Sequence, residues 1–157
     1  MTSMAKIMGG RKAHANGKMF EELFTYRARV TGFTCTQIPA GCRVLGPGRI
    51  QRIRTHFDFV LSGHGKTFLI DTKTVDAETF PHSSIQDHQA VELSRHSIHG
   101  TVAGYVIYLR KKNEVIFVPA IHLVTRMRFP GSISPDDSDV VRLGTCEGFD
   151  LIRVLTK

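Results

Sequence analysis

The sequence predicts a mixed α/β layer sandwich, and three observations carry that reading. β-prone runs come as hairpin pairs, over 56–74 and 101–118. Two stretches with helical apolar spacing, 17–31 and 84–99, separate and precede them. No G-x-G-x-x-G, G-x-x-x-x-G-K-[ST] or G-x-S-x-G occurs, so a doubly wound nucleotide-binding sheet and a hydrolase elbow are not indicated.

At 157 residues, 41% of them hydrophobic and 22% charged, the chain is long enough for one globular domain with a real core. No apolar run approaches the roughly 20 residues of a membrane span. The N-terminus lacks the apolar stretch of a secretory signal. Cys35, Cys42 and Cys146 show no paired spacing and read as reduced thiols in a cytoplasmic setting. The net charge of +7 is segregated. Residues 1–54 carry ten Lys/Arg against two Glu, a balance of +8, and the remainder is near neutral. Such segregation suits a polyanion, nucleic acid first, with a basic solvated tail as the plainer alternative.

Residues 1–16, with Gly9-Gly10 and no periodicity, read as a flexible basic arm, and 17–157 as a single domain. Phe20, Leu23, Phe24, Ala28 and Val30 form the stripe of a helix over 17–31, with Gly32 as its stop. Glu21 lies on the border of that stripe and Glu22 on a wetter side. Either fits as an ordinary first-turn acid, and Glu21 is the better inward ligand. Residues 33–38 suit a short strand. Residues 39–54, rich in Gly and Pro, read as a loop, solvated or touching phosphate through Arg43, Arg49, Arg52 and Arg54. The hairpin 56–74 follows. Ser84 with Asp87 resembles a capping box for a helix ending at Gly100. Gln89 interrupts its apolar face and suits either a phosphate-directed amide or a core amide. Thr101–Leu109 and Glu114–Val118 read as a second hairpin. Ala120–Phe129 suggests a short helix, 130–139 a solvated acidic loop, and Phe149–Leu155 a last strand.

The chemistry concentrates in the first hairpin. Asp58 stands on one run; Asp71 and Lys73, two apart, share a face of the other. A turn at His64-Gly65 makes partner numbers add to 129 and sets Asp58 opposite Asp71, about 5 Å apart at Cβ. Two acids and a lysine among apolar residues are costly without a job. Two carboxylates can share one Mg²⁺, although so short a motif also arises by chance.

With Glu21, Asp58, Asp71-Thr72-Lys73 and Gln89 in this order, the chain resembles the PD-(D/E)xK nuclease superfamily, most of all Holliday-junction resolvases of the Hjc and RecU kinds. Gly17-x-x-Phe20-Glu21 is similar to the opening of their first helix. Phe57-Asp58-Phe59 and Ile70-Asp71-Thr72-Lys73-Thr74 resemble their acidic segments. Ile85-Gln86-Asp87-His88-Gln89 resembles their H-Q helix. The likeness spans roughly residues 17–119. Phe57 replaces the name-giving Pro, the final acid is Asp rather than Glu, and Val75 follows Thr74.

The resemblance implies a restriction-endonuclease-like mixed β-sheet flanked by helices, with an α-β-β-β-α-β core. It implies that Asp58, Asp71, the Thr72 carbonyl and Glu21 hold Mg²⁺ or Mn²⁺, that Lys73 orients the attacking water, and that Gln89 places phosphate or water. Arg11, Lys12, Lys18, Arg43, Arg49, Arg52, Arg54 and Thr55 would contact branched DNA. A homodimer would cut opposed strands of a four-way junction, with no small-molecule cofactor and no membrane. A nuclease with another DNA substrate and a non-catalytic DNA-binding module are the alternatives.

Overall fold

The computed structural model describes residues 4–39, 41–53 and 56–156, with the side chains of 4–15, 42–44 and 52–53 outside that description. Helix α1 (Met4–Val30) is followed by strands β1 (Thr34–Gln37), β2 (Gly41–Gly46), β3 (Arg49–Ile53), β4 (Phe59–Gly63), β5 (Lys66–Val75) and β6 (Phe80–Pro81). Helix α2 (Asp87–Ile98) leads to β7 (Val102–Leu109) and β8 (Glu114–Pro119), then α3 (Ala120–Arg126), β9 (Ser132–Ile133) and β10 (Val141–Gly144). The main sheet runs β1-β4-β5-β7-β8-β10. All its pairs are antiparallel except β5–β7, which is parallel and joined through α2. This is the expected mixed sheet flanked by helices, and α1-β1-β4-β5-α2-β7 supplies the α-β-β-β-α-β order.

The sheet's two faces carry separate cores. Phe20, Phe24 and Ala28 of α1 pack on Phe59, Leu61, Phe68 and Ile70. Ala90 and Leu93 of α2, with Leu123 of α3, pack on Leu69, Tyr105, Ile107 and Val118. Alternation explains why Phe68 and Ile70 meet α1 while Leu69 and Asp71 turn to α2. Because β5 is covered on both sides, its buried residues run consecutively from Phe68 to Asp71. The Phe24 and Phe59 rings, 4.7 Å apart at their centroids, tie helix to sheet.

The first hairpin closes at the expected turn. Gly63 pairs with Lys66 and Phe59 with Ile70. His64 (φ 52°) and Gly65 (φ 73°) both take left-handed backbone, as the tightest hairpins require. His64 Nε2 lies 2.9 Å from the Thr31 carbonyl, which helps hold that non-glycine residue there. At the other end of α1, Gly32 (φ 91°) forms the expected stop, with Phe33 N–H bonding back to Ala28 O.

Several local expectations give way. The helix starts at Met4 rather than near Gly17, so residues 4–16 have helical backbone although no apolar stripe announces it. Residues 41–53 form a hairpin, β2–β3, rather than a loop; Pro47-Gly48 makes the turn and backbone pairing needs no apolar face. Ser84 ends a 3-10 turn, and Gln86 is the residue that precedes α2, without a side-chain cap. The final strand is β10, beginning at Val141. Residues Leu151–Leu155 form a 3-10 helix started by Asp150, whose Oδ1 accepts from Ile152 N. The acidic loop is not simply solvated. Arg126 binds Asp137 and Asp139, and Arg142 binds Asp136 and Glu114.

Candidate active site

Strand β5 presents Asp71 and Lys73 on the face covered by α2, as their spacing requires, and their charged groups lie 2.7 Å apart. Asp71 is 1% exposed. Gln89, on the first full turn of α2, is 7% exposed and projects into the same place. Its Nε2 donates to Asp71 Oδ1 (3.2 Å) and its Oε1 accepts from Lys73 Nζ (3.1 Å). Gln89 is therefore the amide that bridges the acid and the base.

Asp58 joins from the partner strand, with a change from the ideal register. The ladder ends at Phe59–Ile70, and the Asp58 N–H donates to Ile70 O rather than facing Asp71 squarely. Its carboxylate leans to Thr72, where Oδ2 accepts from the backbone N (3.1 Å) and from Oγ1 (3.2 Å). Thr72 thus orients Asp58 through donors, a role its carbonyl alone did not suggest. The two carboxylates are still neighbours. Burial first, and Asp58 as well, push the Asp71 carboxyl up to about 7, while Lys73 pulls against them.

Tyr105 was not singled out in the sequence, where it reads as one more aromatic residue of an apolar strand. The parallel register sets it beside Asp71. Its hydroxyl donates to Gln89 Oε1 (2.8 Å) and accepts from Gln86 N (3.3 Å). The Lys73 ammonium lies 5.0 Å from the centre of its ring. Burial and the nearby Asp71 charge push the phenol upward. Outside this group, the His56 and His88 rings meet at 6.0 Å.

Glu21, expected as a further ligand, lies on α1. It borders the buried stripe of α1, beside Phe20 and Phe24, and its Oε2 accepts from Gln37 Nε2 (3.0 Å). Helix α1 packs on the sheet face opposite α2. Among the described residues no three His, Cys, Asp or Glu side chains gather where they could hold a metal ion.

A smaller donor set remains. Asp71 Oδ2 is buried and ion-paired with the Lys73 ammonium at 2.7 Å. Two adjacent carboxylates fit Mg²⁺ or Mn²⁺, which accept one or two protein carboxylates and leave the rest of the shell to water and phosphate oxygens.

Of the basic residues, Lys18 and Arg49 are exposed. Arg11 and Lys12 lie in the early turns of α1, and Arg43 and Arg52 on β2 and β3, where Arg43 pairs with Gln51 and Arg52 with Cys42. Arg54 and Thr55 lie outside the described residues. Among the described residues no helix is long and apolar enough to cross a membrane.

No family model and no curated protein match the chain. A solved structure of Hjc, a Holliday junction resolvase from Archaeoglobus fulgidus, is similar at 18% identity and a TM-score of 0.48, over 67% of this chain and 78% of that one. Likeness at this level assigns no activity.

Proposed function

We propose that this chain is a metal-dependent endonuclease that cuts branched DNA, with the four-way junction as its substrate. The observation that carries the reading is the convergence of Asp58, just before β4, Asp71 and Lys73 of β5, and Gln89 of α2 around the buried Asp71 carboxylate. Such a set is costly to fold and suits phosphodiester hydrolysis. The motif order that resembles the resolvases adds the junction preference.

Asp58 and Asp71 would hold Mg²⁺ or Mn²⁺, with the Thr72 carbonyl as a further oxygen donor. When bound, the cation supplies positive charge and Lewis acidity at the scissile phosphate. Thr72 N–H and Oγ1 keep the Asp58 carboxylate aimed. Lys73 stands beside Asp71 to orient the attacking water and offset charge developing on the phosphate. Gln89 holds Lys73 and Asp71 in one geometry. Lys18, Arg49 and the other basic residues of the first 55 grip phosphates, mostly without reading sequence. A homodimer would present two such sites to opposed strands.

Cleavage of four-way, three-way and linear DNA with Mg²⁺ or Mn²⁺ tests this reading. Preferential paired cutting of the four-way junction is expected. Equal cutting of linear duplex overturns the junction preference and leaves a nuclease of another substrate. One observation favours a non-catalytic DNA-binding module instead: among the described residues no three His, Cys, Asp or Glu side chains gather where they could hold a metal ion. DNA binding without any cutting would establish that second reading.

A further inference from the structure

We infer that Tyr105 is a positioning residue, whose hydroxyl fixes which end of the Gln89 amide faces Lys73 and which faces Asp71. The inference rests on the nuclease reading of this site.

An amide has a donor end and an acceptor end of nearly the same shape, so its neighbours must decide its direction. Among the described residues, Gln89 bonds three polar side chains. Asp71 can only accept while ionised, and Lys73 can only donate. Both favour the observed direction, Oε1 to Lys73 and Nε2 to Asp71. Each of these two moves or changes its charge balance once a cation or a phosphate enters the site. Tyr105 does not share that exposure. It is fully buried on β7, and the backbone N–H of Gln86 donates to its oxygen. A backbone N–H cannot reverse its role. The phenol hydrogen is thereby left for Gln89 Oε1, 2.8 Å away.

The polarity therefore runs one way. It passes from Gln86 N–H to the Tyr105 oxygen, from the Tyr105 hydrogen to Gln89 Oε1, and from Gln89 Nε2 to Asp71 Oδ1. With Tyr105 in place, the amide keeps an acceptor toward Lys73 while the charges around it change. Without that hydroxyl, the amide turns whenever Asp71 is engaged elsewhere, and Lys73 loses its guide.

Tyr105→Phe retains the ring beneath Lys73 and removes only the hydroxyl. Loss of one oriented hydrogen bond should lower kcat for junction cleavage about tenfold and leave KM unchanged. In a Gln89→Ala background, the same substitution should have no further effect on kcat. A stability loss alone would lower kcat in both backgrounds alike, so equal losses overturn the inference. So does an unchanged kcat in the Tyr105→Phe single variant.

A second readout needs neither metal nor DNA. In an Asp71→Ala background, which frees the donor end of the amide, the Gln89 side-chain NH₂ resonances of ¹⁵N-labelled protein should keep slow exchange with Tyr105 present and should shift toward exposed-glutamine values when Tyr105→Phe is added. Unmoved resonances overturn the positioning role even if the wild type proves to cut nothing. A wild type that cuts nothing, together with the expected resonance change, overturns the nuclease reading while leaving the amide orientation standing.

Discussion

Two charged clusters lie at opposite fates in this molecule. On α3 and the loop before β10, Arg126 meets Asp139 and Asp137. Its Nε lies 3.0 Å from Asp139 Oδ2, and a second nitrogen serves the other Asp139 oxygen. Hydrogen bonding from Arg126 holds the Asp139 carboxyl below its ordinary value. On β5, burial and a neighbouring acid raise Asp71 despite its lysine. The first cluster is electrostatically relaxed and joins loop to helix. The second is electrostatically crowded, an arrangement that stability alone does not favour and that a bound cation would relieve. The position of a carboxylate, more than its partner count, separates a fastening from a reactive site.

The comparison breaks most visibly in activity. Lys73→Ala and Asp71→Asn should each lower cleavage by about a thousandfold or more, as loss of a charge-stabilising group in an active site does, while junction binding persists. Arg126→Ala should leave cleavage intact, read in the same assay. A large activity loss in Arg126→Ala would erase the distinction between the clusters.

Stability should answer in the opposite sense. Arg126→Ala should cost about 1–3 kcal/mol through lost charged hydrogen bonds. At about 2–4 °C per kcal/mol for a chain of this size, calorimetry should show the fall clearly. Asp71→Asn should keep the melting temperature close to wild type, because relief of the crowding from burial and Asp58 offsets the weakened tie to Lys73.

A pH series sharpens the point. The folded Asp139 carboxyl titrates below its unfolded value of about 3.9. Its contribution is therefore present above that unfolded value and disappears as pH falls through the lower folded value. The melting-temperature gap between wild type and Arg126→Ala should be steady from pH 7 to 5 and should shrink below about pH 4. A gap that widens with acid would contradict the assignment. The smallest expected effect concerns thiols. Cys35 and Cys146 are buried and their thiols are pushed upward by that burial. Both should react slowly with a thiol reagent in the native protein and quickly once it is unfolded.

Much of the site was legible because it depends on local periodicity. The spacing of Asp71 and Lys73 determines a shared face, and the turn at His64-Gly65 brings β4 back beside β5. Gln89 could be placed toward the sheet because it shares a helical face with Leu93, and both are buried. Tyr105 could not be singled out, since nothing local distinguishes it from the core aromatics. Only the parallel pairing of β5 with β7, separated in sequence by α2, brings it to Asp71. Glu21 lies on the border of the α1 stripe as its spacing requires, whereas its bond with Gln37 depends on how α1 meets β1. The β2–β3 hairpin and β10 escaped for a related reason. Backbone ladders can form without apolar alternation, so their sequences carry little signal.

By itself the sequence determined the mixed α/β layer class, the first hairpin with its register, and the pairing of acids with a lysine. These follow from side-chain alternation and turn stereochemistry, which operate over a few residues. Tertiary structure alone decided that Asp58 leans to Thr72, that Tyr105 meets Gln89, and that Glu21 bonds Gln37. Those outcomes depend on which layers meet and at what depth, and burial, set only when the layers close, decides what each charge costs.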